Sequence, residues 1–143
     1  SALCLAKGLQ PDGRLHTIEL REDDATTAAA YFRRSKFAAQ IILHIGNALN
    51  IVGELDEPWD LVFIDADKPG YLAYFNRIFP FVKPKGFILA DNVLFHGEVL
   101  NAEVKGKNAR AIQEFNDAML QRTDVERLLV PLRDGLLLLR KLH

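Results

Sequence analysis

The chain has 143 residues, 49% of them apolar and 26% charged, with a formal net charge of -1. That is enough for one domain with a real core and too little for two, and the near-zero charge gives no electrostatic reason to expect nucleic acid or an anionic membrane as a partner. No run approaches the roughly 20 apolar residues that span a bilayer, Ser1 to Leu9 is not read as a signal peptide, and the single Cys4 excludes an intrachain disulfide.

Cys4 is expected to be a small core residue, in keeping with a reducing cytoplasm. Residues 1 to 9 read as the end of a helix, closed by the turn Gln10-Pro11-Asp12-Gly13. Leu15 to Leu20 is a strand ending at Glu19. Asp23 or Asp24 can cap a helix over 24–37, with Ala25, Ala28, Ala29 and Phe32 on one stripe. Ile41 to Ile45 is a second strand, and Gly46-Asn47-Ala48 leads into a short helix over 47–55. Glu57-Pro58 ends that helix, and Leu61 to Ile64 is a third strand.

Pro69-Gly70 opens the next helix, with Leu72, Phe75, Phe79 and Val82 at helical spacing. Lys83-Pro84-Lys85-Gly86 predicts a turn. Phe87 to Ala90 is a fourth strand, apolar enough to be buried on both faces. A loop is expected from Phe95 to about Gly106. A helix follows over 108–122, with Ile112, Phe115 and Met119 inward. Asp134-Gly135 between two apolar runs is a hairpin signal, so the last two strands are antiparallel. Strands alternating with helices predict an α/β fold with a mostly parallel sheet and an antiparallel C-terminal hairpin. Residues 1–143 are read as one domain.

Two segments carry the chemistry. Phe63-Ile64-Asp65-Ala66-Asp67-Lys68 and Ile88-Leu89-Ala90-Asp91-Asn92 are apolar runs that end in side-chain oxygens. As parallel strands they would bring their tips to one sheet edge, where open α/β sheets bind ligands. Asp65, Asp91 and Asn92 then offer oxygen donors to one hard cation, suited to magnesium, calcium or manganese rather than zinc or copper. The bland alternative makes Asp65 and Asp91 helix caps. Lys68 stands close by. Glu19 ends a strand where nucleoside-binding folds place a ribose-binding acid.

The order of these motifs resembles the cation-dependent, S-adenosylmethionine-dependent O-methyltransferases of the caffeoyl-CoA and catechol type. The resemblance rests on Glu19, Gly46-Asn47-Ala48, Trp59 to Lys68, Gly86 to Leu94 and Val130 to Leu136. It implies a Rossmann-like methyltransferase sheet and methyl transfer from S-adenosylmethionine to a hydroxyl of a catechol-like or phenolic acceptor. It also implies a homodimer.

By the same resemblance Lys68 is the general base, with Asp65 beside it as metal ligand and catalytic residue. Glu19, Gly46, Asn47, Ala48 and Asp65 border the cofactor, and Asp65, Asp91 and Asn92 hold the metal. Phe95 and His96 follow the second motif and could line the acceptor pocket, although His96 reads better as a surface residue. Asp67 reads as a helix cap, and Arg133-Asp134-Gly135 as a turn without chemistry.

The family's first strand and glycine-rich turn have no counterpart here, which predicts a partial domain with an exposed sheet edge or a slot between strands. That departure keeps a non-catalytic binding or assembly module open. A nicotinamide-dependent oxidoreductase is a further alternative, which gives no reason for Asp91-Asn92. A phosphoacceptor receiver domain is the last.

Overall fold

A computed structural model describes residues 1–55 and 57–143. These fall into two compact units, divided after Leu55.

The first unit holds α1 (Ala2–Ala6), β1 (Leu15–Glu19), α2 (Glu22–Arg33), β2 (Ile41–Ile45) and α3 (Ala48–Glu54). β1 and β2 are parallel, in unbroken register from Leu15↔Ile41 to Glu19↔Ile45. Parallel pairing brings both C-terminal tips to one edge, so Glu19 and Gly46 become neighbours; the Gly46 N–H donates to the Glu19 carbonyl at 3.0 Å. The Gln40 side-chain amide donates to the Gln10 and Gly13 carbonyls and pins the turn before β1.

The stripe on α2 is as expected, with Ala25 fully buried and Ala28, Ala29 and Phe32 half-buried. Its cap is not. Arg21 occupies the N-cap position without a side-chain bond, and Glu22, Asp23 and Asp24 fill the first turn. Acids there still favour the helix by opposing its dipole. Cys4 is exposed, not a core residue. In the short helix α1 it is Ala6 that is buried.

The second unit holds β3 (Trp59–Ile64), a 3₁₀ turn (Lys68–Gly70), α4 (Tyr71–Ile78), a second 3₁₀ turn (Phe79–Phe81), β4 (Val82–Asp91), a kinked 3₁₀ segment (Phe95–Leu100), α5 (Lys107–Gln121), β5 (Val125–Val130) and β6 (Leu136–Lys141). The strands form one sheet in the order β3-β4-β6-β5. β3 and β4 are parallel, whereas β6 is antiparallel to both β4 and β5. The Asp-Gly hairpin is therefore present, and its second strand lies beside β4.

Tyr71, Phe75 and Ile78 are the buried residues of α4, and Ile112, Phe115 and Met119 are buried on α5, which packs against it. Phe115 meets the Tyr71 ring edge-on at 5.6 Å, and such pairs add about 0.5–1.5 kcal/mol beyond burial.

Two expectations fail here. Lys83 to Gly86 is not a turn between elements but lies within β4. Trp59 pairs with Val82 and Leu61 with Phe87, so the intervening residues bulge out of the ladder, with Lys85 at φ 67°. Extra residues on one strand of a pair must loop out if both ends are to stay hydrogen-bonded. Nor is β4 buried on both faces. Ile88 and Ala90 are buried, but Phe87 is 41% exposed and its register partner Leu61 46%. Side chains alternate between faces along a strand, and an apolar run does not say how many faces are covered. The loop after β4 also gains a 3₁₀ segment over Phe95–Leu100.

Among the described residues no helix is long and apolar enough to cross a membrane.

Candidate active site

In the second unit, the tips of β3 and β4 do what the sequence pattern predicts. Ile64 pairs with Ala90, so Asp65 and Asp91 lie one step further along neighbouring strands, which run about 4.8 Å apart. The chain then turns at Asn92, whose φ of 59° lies in the left-handed region that asparagine tolerates better than most residues. The Asn92 N–H donates to the Asp91 carboxylate at 2.8 Å. Neither Asp65 nor Asp91 caps a helix. Asp67 is the residue at the N-cap of the 3₁₀ turn, and it too makes no capping bond. Its carboxylate instead accepts from the Tyr74 hydroxyl at 2.6 Å. Burial, and after it that bond, push the Tyr74 phenol pKa up to about 12.

The 3₁₀ turn folds Lys68 back over the strand tips. Its ammonium donates to Asn92 Oδ1 at 3.0 Å and to the Tyr71 hydroxyl at 2.5 Å, and lies 3.8 Å from the Asp65 carboxylate. The Lys68 side chain is only 14% exposed. Burial lowers its pKa from the ordinary value, because water can no longer solvate the ammonium; Asp65, Asp91, Asp134 and Asp67 oppose that shift by attracting it. A cationic head thus sits among three side-chain oxygens at the edge of the sheet.

Two participants were not expected. Tyr71 is fully buried, and its hydroxyl donates to the Asp91 carbonyl at 2.8 Å. Burial and nearby carboxylates push its phenol well above the ordinary range, so it stays protonated. The buried face of α4 is Tyr71, Phe75 and Ile78, turned by one position from the stripe expected from Leu72; a lone hydroxyl on such an apolar face must find a partner.

Asp134 is the other; it lies in the turn expected at Arg133-Asp134-Gly135 and holds the loop after β4. Its side chain accepts the His96 N–H at 2.6 Å, and its carbonyl accepts the Leu94 N–H. His96 itself is 78% exposed, as its loop setting suggested. Asn116 on α5 also holds this loop, donating to the Val93 carbonyl at 2.8 Å.

The first-unit residues expected to border a cofactor come together at one edge of that unit. Glu19 ends β1 and Gly46 directly follows β2, Asn47 caps α3 by accepting the Leu49 N–H at 2.9 Å, and Ala48 is the first helical residue. Gly46 has a φ of 139°, a conformation that glycine adopts most easily. Asp65 belongs to the second unit.

Among the described residues, no three His, Cys, Asp or Glu side chains group closely enough to hold a metal. The donor set expected from the sequence, Asp65, Asp91 and Asn92, comprises two carboxylates and one amide oxygen. An amide oxygen has two lone pairs, so the bond from Lys68 leaves Asn92 able to accept once more.

An α/β unit with an acid-tipped parallel pair and a lysine folded over it defines a class of sites for polar ligands at a sheet edge. The family described as O-methyltransferase matches residues 1–142, and the chain belongs to that family. It is 32% identical over 130 residues to the catechol O-methyltransferase of Niastella koreensis, covering 88% of this chain and 59% of that protein. It is also 32% identical over 150 residues to a probable caffeoyl-CoA O-methyltransferase of Dictyostelium discoideum, covering 100% of this chain and 65% of that protein.

Among solved structures, the O-methyltransferase TomG from Streptomyces achromogenes, determined in complex with SAM, superposes with a TM-score of 0.91 at 30% identity; the match covers 97% of this chain and 66% of that one. The chain thus spans less than two thirds of the length of each of these proteins.

Proposed function

We propose that the full-length protein transfers a methyl group from S-adenosylmethionine to a hydroxyl of a catechol-like or phenolic acceptor, assisted by magnesium, calcium or manganese. The observation that carries this reading is the Lys68 head group, held 3.0 Å from Asn92 and 3.8 Å from Asp65 at the tips of two parallel strands. The family membership and the SAM-bound structural relative support the cofactor.

In this reading Asp65, Asp91 and Asn92 hold the cation through oxygen. When bound, the cation stabilises the anion of the acceptor hydroxyl and so lowers its pKa. Lys68 receives the hydroxyl proton at Nζ. Its burial favours the neutral amine that the task requires. Glu19 accepts hydrogen bonds from the ribose, while Gly46, Asn47 and Ala48 border the adenine. The remaining work is alignment of the acceptor oxygen with the methyl group, so catalysis is chiefly positioning.

The test uses catechol, S-adenosylmethionine and Mg²⁺. Chelation with EDTA abolishes turnover and added Mg²⁺ restores it; turnover indifferent to chelation removes the metal from the mechanism. Calorimetry with S-adenosylhomocysteine separates the non-catalytic alternative, which predicts no binding.

A further inference from the structure

We infer that Tyr71 is a positioning residue, whose hydroxyl aims the Lys68 head group at the acceptor. The inference rests on the reading of Lys68 as the base.

The argument is one of hydrogen-bond direction. The Asp91 carbonyl can only accept, so the Tyr71 hydroxyl must spend its single hydrogen there, at 2.8 Å. Its oxygen is then left with lone pairs only, and it meets Lys68 as an acceptor at 2.5 Å. The direction of this bond is fixed because the ring cannot turn away. Tyr71 is fully buried, is gripped edge-on by Phe115, and is anchored on the first turn of α4.

Lysine Nζ has three tetrahedral positions beyond its own carbon. Tyr71 takes one and Asn92 a second. The third is left for the acceptor, on the side of the Asp65 carboxylate 3.8 Å away. A lysine held by one bond would swing about it, whereas two bonds from different elements leave a single orientation. Tyr71 does not touch the reacting atoms in this arrangement and acts only through Lys68.

The sequence places the two residues for this. Lys68 and Tyr71 are separated by Pro69-Gly70, which form the 3₁₀ turn and swing the lysine onto the helix that follows. The Lys68 ammonium also lies 4.6 Å from the centre of the Tyr71 ring.

The test is a double-mutant cycle in the full-length protein, with catechol, S-adenosylmethionine and Mg²⁺. Tyr71→Phe keeps the ring and removes the hydroxyl. It is expected to lower kcat about 10-fold or more, with KM for S-adenosylmethionine unchanged. In a Lys68→Met background the same substitution is expected to change the residual kcat less than 2-fold, because the group it acts through is gone. An equal loss in both backgrounds, or no loss in the native one, overturns the inference.

A second measurement does not depend on activity. Lysine ammonium ¹H–¹⁵N spectra, with the Lys68 signal assigned by its loss in Lys68→Met, are expected to show an ordered Lys68 head group that becomes mobile in Tyr71→Phe. An unchanged order parameter overturns the inference even if Tyr71→Phe is slow. Should Lys68→Met retain full turnover, the base assignment fails, and this spectrum alone decides whether Tyr71 orders the lysine.

Discussion

Asp91 and Leu136 face each other across β4 and β6. The pairing delivers the turn before Leu136 to the tip of β4, where the Gly135 carbonyl accepts the Val93 N–H at 3.1 Å and the Asp134 carbonyl accepts the Leu94 N–H at 3.0 Å. The segment that leaves the acidic tip is thus held by a hairpin some forty residues later in the chain.

Gly135 has no room for a side chain. Its φ is 82°, and a Cβ there would stand 2.6 Å from Leu94 Cγ. Gly135→Ala is expected to destabilise the protein by about 1–3 kcal/mol, from backbone strain and that clash. Urea unfolding reads the change; an unaltered midpoint would mean that the hairpin is not seated on Leu94.

Asp134 also acts at a distance on Lys68, where its charge raises the lysine pKa against the lowering effect of burial. Asp134→Asn keeps a carbonyl oxygen for the His96 N–H and removes the charge. Less attraction for the ammonium means a still lower lysine pKa. If neutral Lys68 is the base, kcat rises as pH rises through that pKa, so the rising limb of the kcat–pH profile should move to lower pH in Asp134→Asn. A limb that stays in place, or moves up, would separate Asp134 from the base.

Lys68 can be tested directly. Lys68→Ala is expected to cut turnover by roughly 10²-fold or more, the usual contribution of a positioned general base, and to leave S-adenosylhomocysteine affinity unchanged by calorimetry. Near-native turnover would exclude Lys68 from proton transfer.

Glu19 makes a separate prediction in the first unit. One of its oxygens accepts the Arg21 N–H at 3.2 Å, and a carboxylate has further lone pairs to offer a ribose. Glu19→Ala should weaken S-adenosylhomocysteine binding about 10-fold or more, as expected when charge-assisted hydrogen bonds are lost. Unchanged affinity would place the ribose elsewhere.

The sequence alone determined whatever depends on near neighbours. β2 is legible as the mostly apolar run Ile41–Ile45 before Gly46, β1 from the turn Gln10-Pro11-Asp12-Gly13 that precedes it, and the last hairpin because Asp134-Gly135 joins two apolar runs. The tips at Asp65 and Asp91 are legible because each carboxylate directly follows an apolar run that pairs within a sheet. Pro69-Gly70 likewise marks the start of the following helix, although the 3₁₀ turn that includes Lys68 is seen only in the structure.

Tertiary structure decided what depends on contacts between distant residues. The Tyr71 hydroxyl meets a carbonyl 20 positions away, and the Asp134 carboxylate meets an amide 38 positions away. No local period records such a pairing, because it follows from β6 lying against β4 and α4 folding back over their tips. Burial was settled in the same way. Cys4 and Phe87 are apolar enough for a core, yet both are exposed. Hydrophobicity makes burial favourable, but only the packing of other elements provides something to be buried against.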